Sequence, residues 1–364
     1  MPRLLPPVLL AALAIVGLSR SAHAYVSYHR MGYVSCIACH SNPMGGGVLT
    51  DYGRSVQAAM SAFSRELNLE DRQVHVALQA RSIGFSQSGP ANPFLMQADL
   101  LGLAHLRENL SLQTSIGPNL QRRESFATVP SGADAFVVRR ALVQWQLSEE
   151  SMIQAGRDFP VQGLQLDDHT SFLRTRNRRN ILDYPTQLRF IRQTDSMQLI
   201  PYVSFPSFEE ADRNREYGTG IRSEFSLNDR NSVGALAFYG NTPALSRAMA
   251  GGFFRLSHDH WNALLGEALV TRFHQHASDS GFTQANLYLR PSISFPEWTE
   301  TSFIFEVLNV GTPYSRTLQQ WGPELNIRIH EWISLIGDGR QIHTPDFGTN
   351  NWIWYGQVFL HVQI

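Results

Sequence analysis

The sequence contains no lysine, so all 30 of its basic residues are arginines. They stand against 31 acidic residues, and charged side chains make up only 17% of the chain. Surfaces that bind nucleic acid carry clusters of excess basic residues, and this near-neutral balance provides no such excess. We therefore expect no nucleic-acid partner.

Long apolar runs are also absent, except at the N-terminus. Residues 4–18 form an apolar stretch after Arg3, and Ala22-His23-Ala24 follows it. A basic start, an apolar core and an A-x-A ending are typical of a secretory signal peptide, here expected to span residues 1–24. The stretch is too short for a membrane anchor and contains Pro6 and Pro7. We expect an exported mature chain.

The composition nevertheless favours a membrane protein. Hydrophobic residues make up 43% of the chain and aromatic residues 11%. A transmembrane β-barrel combines such a composition with the lack of long apolar runs, because its lipid-facing residues alternate with polar residues that face the lumen. We therefore predict an all-β fold, with a transmembrane antiparallel β-barrel over residues 72–364.

Period-2 alternation of apolar and polar residues recurs along this part of the chain and predicts about sixteen strands. The expected segments are 73–84, 94–107, 109–117, 133–147, 151–159, 186–194, 196–205, 216–227, 231–240, 247–257, 260–273, 282–294, 299–309, 318–330, 332–340 and 351–364.

The expected connections alternate between long loops and tight turns. Long ones are predicted near 85–93, 118–132, 160–185, 206–215, 241–247, 275–281, 311–317 and 341–350. Outer-membrane barrels have long external loops and short periplasmic turns, and an even strand number places both termini in the periplasm. A soluble β-sandwich gives no reason for such sorting. We predict the bacterial outer membrane as the location, with the periplasm as the alternative.

The two cysteines of the chain belong to one motif, Cys36-Ile37-Ala38-Cys39-His40. A C-x-x-C-H run is the attachment signature of c-type haem, in which both thiols bind the haem and the histidine ligates its iron. A redox-active C-x-x-C pair and half of a zinc site are the alternatives. We expect one covalent haem c on Cys36, Cys39 and His40.

The haem motif lies in a small segment, residues 25–71, which we call the haem segment. Thr50 or Asp51 is expected to cap a helix in which Val56, Ala59, Met60, Phe63 and Leu67 keep helical spacing. A segment of this size has little capacity for a core of its own, so it should lean on the barrel. The expected fold is thus a partly helical haem segment followed by a barrel.

This combination of signal peptide, haem motif and C-terminal barrel resembles the monohaem c-type cytochrome–porin fusions of bacterial outer membranes. The resemblance covers the mature chain in architecture, and its support at the level of residues is confined to Cys36, Cys39 and His40. It implies electron transfer through the barrel, with outer-membrane lipid and a periplasmic cytochrome or other redox protein as partners.

Two further sets of residues are candidates for the site. The sixth iron ligand is expected among His29, Met31, Met44 and Met60, each of which is equally explained by packing. The longest loop carries acidic residues and then arginines, which across a lumen would form a charge-selective constriction. These residues are Asp167, Asp168, His169, Arg174, Arg176, Arg178 and Arg179. A metal site at Asp167, Asp168 and His169 and an ordinary solvated loop are the alternatives.

Other histidines have metal-like spacing, namely His258 and His260 around Asp259, and the pair His274 and His276. Both groups lie at turns, where histidines are usually solvated, so we expect no metal there.

Three functions remain open from the sequence. The first is an electron carrier with its haem in or below the barrel. The second is a transport porin with a structural or sensory haem plug. The third is a haem enzyme, which requires an open sixth coordination site.

The haem assignment gives a direct test. The Cys36→Ala substitution should remove the normal c-type spectrum in a pyridine haemochrome assay, because at most one thioether, to Cys39, can still form. A wild-type protein that folds as a heat-modifiable barrel without haem would contradict the assignment.

Overall fold

The fold is a closed antiparallel β-barrel of sixteen strands, as expected from the alternation pattern. It is taken from a computed structural model. The residues that the structure describes are 39–40, 42, 49–50, 52–53, 56, 74–86, 92–118, 136–161, 163–164, 171–177, 184–206, 216–259, 261–294, 298–312, 315–330, 333–343 and 352–363.

All sixteen predicted segments correspond to strands, with bounds that differ by a few residues. The strands are β1 (Val74–Ser86), β2 (Asn92–Arg107), β3 (Leu110–Pro118), β4 (Phe136–Ser148), β5 (Ser151–Arg157), β6 (Thr186–Gln193), β7 (Met197–Phe205), β8 (Tyr217–Asn228), β9 (Asn231–Asn241), β10 (Leu245–Ser257), β11 (Asn262–Gln275), β12 (Ser280–Ile293), β13 (Thr299–Val310), β14 (Arg316–His330), β15 (Ile333–His343) and β16 (Trp352–Gln363). A one-turn helix, α1 (Phe172–Thr175), lies between β5 and β6.

Each strand pairs with its neighbours in sequence, and β1 pairs with β16 to close the sheet. At this seam Arg81 lies opposite His361 and Phe85 opposite Gln357. Closure gives every strand a partner on both sides, so no edge is left open. None of the helices in the described part of the chain is long and apolar enough to cross a bilayer.

The burial pattern is inverted relative to a soluble protein. Large apolar side chains are exposed on the outer wall, for example Val270 at 50% and Leu287 at 40%. The alternate residues face inward, and many buried ones are charged or polar, such as Glu267 and Arg222. An apolar exterior around a polar interior is the arrangement of an outer-membrane barrel.

The connections differ from the expectation in part. The loops 119–135, 158–185 and 206–216 are long, and 108–109, 149–150 and 229–230 are tight turns. However, the connections 242–244, 276–279 and 311–315, predicted to be long, are short, because the flanking strands continue further than expected. Thr242 closes one of them, since its Oγ1 accepts from the Leu245 backbone N–H at 2.9 Å. The alternation therefore holds for only part of the barrel.

One side of the interior is apolar, which the prediction of a polar lumen missed. Inward-facing residues of β5–β7 and β9–β13 form a buried cluster with Val161, Leu164 and Leu173 of the loop after β5. The strand residues include Ile200, Tyr202, Leu236, Phe238, Met249, Phe253, Leu265, Leu269, Tyr288 and Ile304. The interior on this side is a packed core and not an open polar channel.

Glycines make room for the rings of this cluster. A Cβ at Gly234 would approach the Phe253 ring to 2.1 Å, and one at Gly218 would approach the Phe238 ring to 2.4 Å. Both glycines face inward on strands next to those of the rings they contact. They let an aromatic side chain lie flat against the wall.

The inverted burial predicts a depth-dependent cost of charge on the outer wall. We expect Leu287→Arg, in the middle of β12, to reduce the free energy of unfolding by about 2–4 kcal/mol, because the charge faces hydrocarbon. Leu106→Arg, beside the tight turn at 108–109, should cost about 1 kcal/mol or less. Guanidinium titration of the barrel refolded in vesicles measures both, and equal costs would contradict the placement.

Candidate functional site in the barrel lumen

We call the loop between β5 and β6, residues 158–185, L3, and its described residues contact the inner wall of the barrel. Its helix α1 is held by Glu306 of β13, which is fully buried. The Glu306 carboxylate accepts from the backbone N–H groups of Phe172 at 2.8 Å and Leu173 at 2.7 Å, and from Ser171 Oγ at 3.0 Å. A carboxylate that accepts from the first N–H groups of a helix is a strong anchor.

Further contacts attach L3 to the wall on both sides of α1. Glu267 accepts from the Leu164 backbone N–H at 2.7 Å, and Arg222 donates to the Gly163 carbonyl at 3.2 Å. At the other end, Asn177 Oδ1 accepts from Thr271 and from Gln284, each at 2.7 Å. The loop is therefore fixed across the lumen from β5 to the wall formed by β8 and β11–β13.

Two of the predicted constriction arginines are described. Arg174 is buried in L3, whereas Arg176 is exposed. Partial burial lowers the pKa of Arg176, and repulsion from Arg316 of β14 lowers it further. Two positively charged side chains, Arg176 and Arg316, are therefore close to each other. The other predicted constriction residues lie outside the described residues, namely Asp167, Asp168, His169, Arg178 and Arg179.

The described part of the haem segment forms a compact turn around Cys39 and His40. The Cys39 carbonyl accepts from the Thr50 backbone N–H at 3.0 Å, and His40 pairs with Leu49 in an isolated antiparallel bridge. The Thr50 hydroxyl accepts from the Gly53 N–H at 3.0 Å, and Tyr52 and Gly53 are helical. Thr50 is therefore the helix cap, one of the two candidates expected from the sequence.

Gly53 packs directly on the haem motif. A Cβ at this position would lie 2.1 Å from the Cys39 carbonyl oxygen, so only glycine fits. Cys39 is 5% exposed, and His40 is half-buried.

The haem segment contacts the lumen wall through Asn42, two residues after His40. Asn42 is fully buried. Its Nδ2 donates to Asp158 Oδ2 at 2.9 Å, and its Oδ1 accepts from Gln154 Nε2 at 3.2 Å. Gln154 belongs to β5, and Asp158 is the first residue of L3. Asn42 is therefore enclosed by the barrel, two residues after His40.

Two arginines complete the cluster around Asp158. Arg140 Nε donates to Oδ1 and Arg189 Nη1 to Oδ2, both at 2.8 Å. Burial alone raises the pKa of Asp158, but the charges of Arg140 and Arg189 and the hydrogen bonds lower it to about 2. We call Arg140, Gln154, Asp158 and Arg189 the Asp158 cluster. Its carboxylate stays ionised at neutral pH.

The position of this cluster sets the depth of the haem motif. β5 starts at the tight turn 149–150 and runs seven residues to Arg157. At about 3.3 Å per residue, Asp158 lies about 23 Å along the strand from Ser151, which a strand tilt of about 35–45° reduces to a height of about 16–19 Å. The apolar band of such barrels is about 25 Å tall, so Asp158, and Asn42 bonded to it, lie in the half of the barrel on the L3 side.

The described residues are compatible with the expected c-type haem. Cys39 and His40 place a cysteine side chain and an imidazole at adjacent positions, in a turn beside the lumen wall. Cys36 and the candidate sixth ligands His29, Met31, Met44 and Met60 lie outside the described residues. When bound, the haem supplies a one-electron iron couple.

The histidines at the turns lie elsewhere. The His258 side chain is 92% exposed, and Asp259 is used to close its own turn by accepting from the Trp261 and Asn262 N–H groups, each at 2.7 Å. His274 and His276 lie near each other at the end of β11, with ring centroids 5.8 Å apart and the ring planes tilted by 49°. His260 lies outside the described residues. Among described residues no group of three or more metal-binding side chains is present.

Sequence reasoning missed the residues that hold the haem segment and L3 inside the barrel, namely Asn42, Asp158, Arg140, Arg189 and Glu306. The sequence gives only a weak indication of their role. Asp158 directly follows a strand, and Arg140, Gln154 and Arg189 occupy inward positions of β4, β5 and β6, where a barrel is expected to carry polar residues, so they do not stand out.

A closed antiparallel barrel with an apolar exterior defines the class of outer-membrane β-barrel proteins, which includes the porins. Known structures with this fold include outer-membrane-expressed OmpT of Vibrio cholerae, with a TM-score of 0.62 and 8% identity over 81% of this chain and 99% of that one. The anion-selective porin of Comamonas acidovorans has a TM-score of 0.57 and 10% identity, over 80% and 99%. The outer-membrane channel DcaP of Acinetobacter baumannii has 0.54 and 8%, over 80% and 97%.

These likenesses show that the chain is an exported outer-membrane β-barrel, which confirms the predicted fold class and location. No family model and no curated protein matches the sequence.

The anchor of L3 gives a test. In Glu306→Gln the carboxamide NH₂ faces the N–H donors of α1, so we expect trypsin to cleave L3 at its arginines about tenfold faster. SDS gels of the digested, folded barrel measure the rate. Glu300→Gln is the matched control, since Glu300 lies on the same strand, is equally buried and bonds Arg290 and Ser302. Equal rates in both variants would show that Glu306 does not anchor L3.

Proposed function

We propose that this porin-type barrel is plugged by its own haem segment and carries electrons across the outer membrane through one haem c. The observation that carries the proposal is the burial of Asn42 against Gln154 and Asp158, two residues after the iron-ligating His40. A haem attached there would lie within the lumen. It would be separated from lipid by the barrel wall.

Two features of the interior support electron transfer over bulk diffusion. Inward-facing residues are fully buried at several heights, for example Leu142, Ile200 and Ile304 at 0%. The packed core and L3 close one side of the lumen, and the haem segment enters from β4–β6. Electrons cross such a filled interior more readily than hydrated solutes do.

A haem placed in the half of the barrel on the L3 side has a short electron-transfer path to the cell exterior. The opposite path, towards the tight turns, is longer, so a periplasmic redox protein is the expected partner on that side. One haem is small compared with the hydrocarbon core of about 30 Å, and a partner that enters the barrel mouth would bridge the remainder.

The second candidate function is solute transport with the haem as a structural or sensory plug. Two observations favour it: the known structures with this fold include porins and a channel, and Arg176 lies near Arg316. Like-charged arginines at an inward loop would favour anions. The porin of Comamonas acidovorans with this fold is anion-selective.

Sealed vesicles distinguish the two functions. The haem-loaded protein should pass electrons from an enclosed, membrane-impermeant reductant to an external impermeant oxidant, and Cys36→Ala/Cys39→Ala should not. Single-channel conductance in planar bilayers should be small and independent of the haem redox state.

Transfer that is equal in the two proteins, or a large anion conductance in wild type, would contradict the electron-carrier proposal and favour transport. A high-spin spectrum that shifts on adding cyanide would instead indicate an open sixth position and an enzyme.

A further inference from the structure

We propose that Asp158 is the positioning residue of the haem segment, and that it ties this segment to the start of L3. The proposal rests on the proposed function only in that the segment is taken to carry a haem. The contacts that hold the segment join side chains of the protein and do not involve the haem. It assigns a role to a carboxylate that lies outside the haem motif and outside the constriction arginines.

The Asn42 contact is specific for one orientation of the amide. Its NH₂ group meets a carboxylate, Asp158, and its carbonyl oxygen meets an amide NH₂, that of Gln154. Neither aspartate nor an apolar residue at position 42 satisfies both partners. A buried amide paired at both ends fixes the register of the segment against β5.

Asp158 is held independently of the haem segment. Arg140 and Arg189 approach its two oxygens from β4 and β6, the strands on either side of β5. The carboxylate would remain paired in a barrel without the segment. Asn42 is therefore one more hydrogen-bond donor to a carboxylate that the two arginines already hold in place. Substitution of Asn42 should release the haem segment without disturbing the strands of the barrel.

The backbone of Asp158 closes the base of L3. Its N–H donates to the Pro185 carbonyl at 3.3 Å, which joins the two ends of the loop. Gln187 Nε2 donates to the adjacent Phe159 carbonyl at 3.0 Å. One residue thus contacts the haem segment through its side chain and L3 through its backbone, so displacement of either is expected to disturb the other.

The test uses the full haem-free chain, refolded in detergent with Cys36→Ser, so that Cys39 is the only thiol. Cys39 is 5% exposed and should react slowly with a maleimide. We expect Asn42→Ala and Asp158→Asn each to increase the labelling rate at least tenfold. Asp158→Asn should also increase tryptic cleavage of L3.

The exchange variant Asn42→Asp/Asp158→Asn restores an amide–carboxylate pair, but its new NH₂ group faces Arg189 Nη1, so labelling should be slower than in Asp158→Asn alone without reaching the wild-type rate. Asp99→Asn is the matched control, since Asp99 is fully buried and pairs with Arg139 and Ser115 on a neighbouring part of the wall. It should leave Cys39 labelling unchanged.

Wild-type labelling rates in Asn42→Ala would overturn the proposal, and so would an equal increase in Asp99→Asn. Heat-modifiability on gels checks that each barrel has folded, and if Asp158→Asn does not fold, Asn42→Ala decides. Because the assay contains no haem, its outcome is independent of whether the mature protein carries one.

Discussion

The absence of water in the hydrocarbon core is the constraint on which this structure depends. Backbone groups cannot bond lipid, so the sheet closes through β1 and β16 and leaves no edge. Once closed, the wall has one apolar face and one enclosed face. All remaining polar chemistry of the chain, including its buried arginines, must then lie inside or in the loops.

Inside the barrel, buried carboxylates hold L3 and the haem segment in place. Glu306 and Glu267 hold L3, and Asp158 holds the haem segment, each by accepting from several donors. An ionised carboxylate buried among guanidinium, amide and backbone N–H donors forms stronger bonds than a neutral acceptor would. The lack of lysine fits this interior, because guanidinium groups donate in fixed directions and are less strongly hydrated than ammonium groups.

Strands and motif were predictable because both are local. Outward residues such as Leu287 alternate with inward ones such as Tyr288, and the Cys36–His40 spacing is a short pattern. The apolar core was missed because β9–β11 are apolar on both faces, as at Leu236 between Ala235 and Ala237. The Asn42–Asp158 contact joins residues 116 positions apart, and Glu306 contacts α1 across 133. Such contacts depend on barrel register and loop path, which no local pattern encodes.

The burial of Cys39 has a consequence for the order in which the protein is assembled. In the closed barrel this thiol is 5% exposed and Gly53 packs against its backbone, which leaves little room for a large catalyst. A group attached to Cys39 has to be joined before the segment is enclosed. Maturation would then follow a fixed order: export, attachment in the periplasm, and only afterwards insertion into the outer membrane with the loaded segment already among β4, β5 and β6.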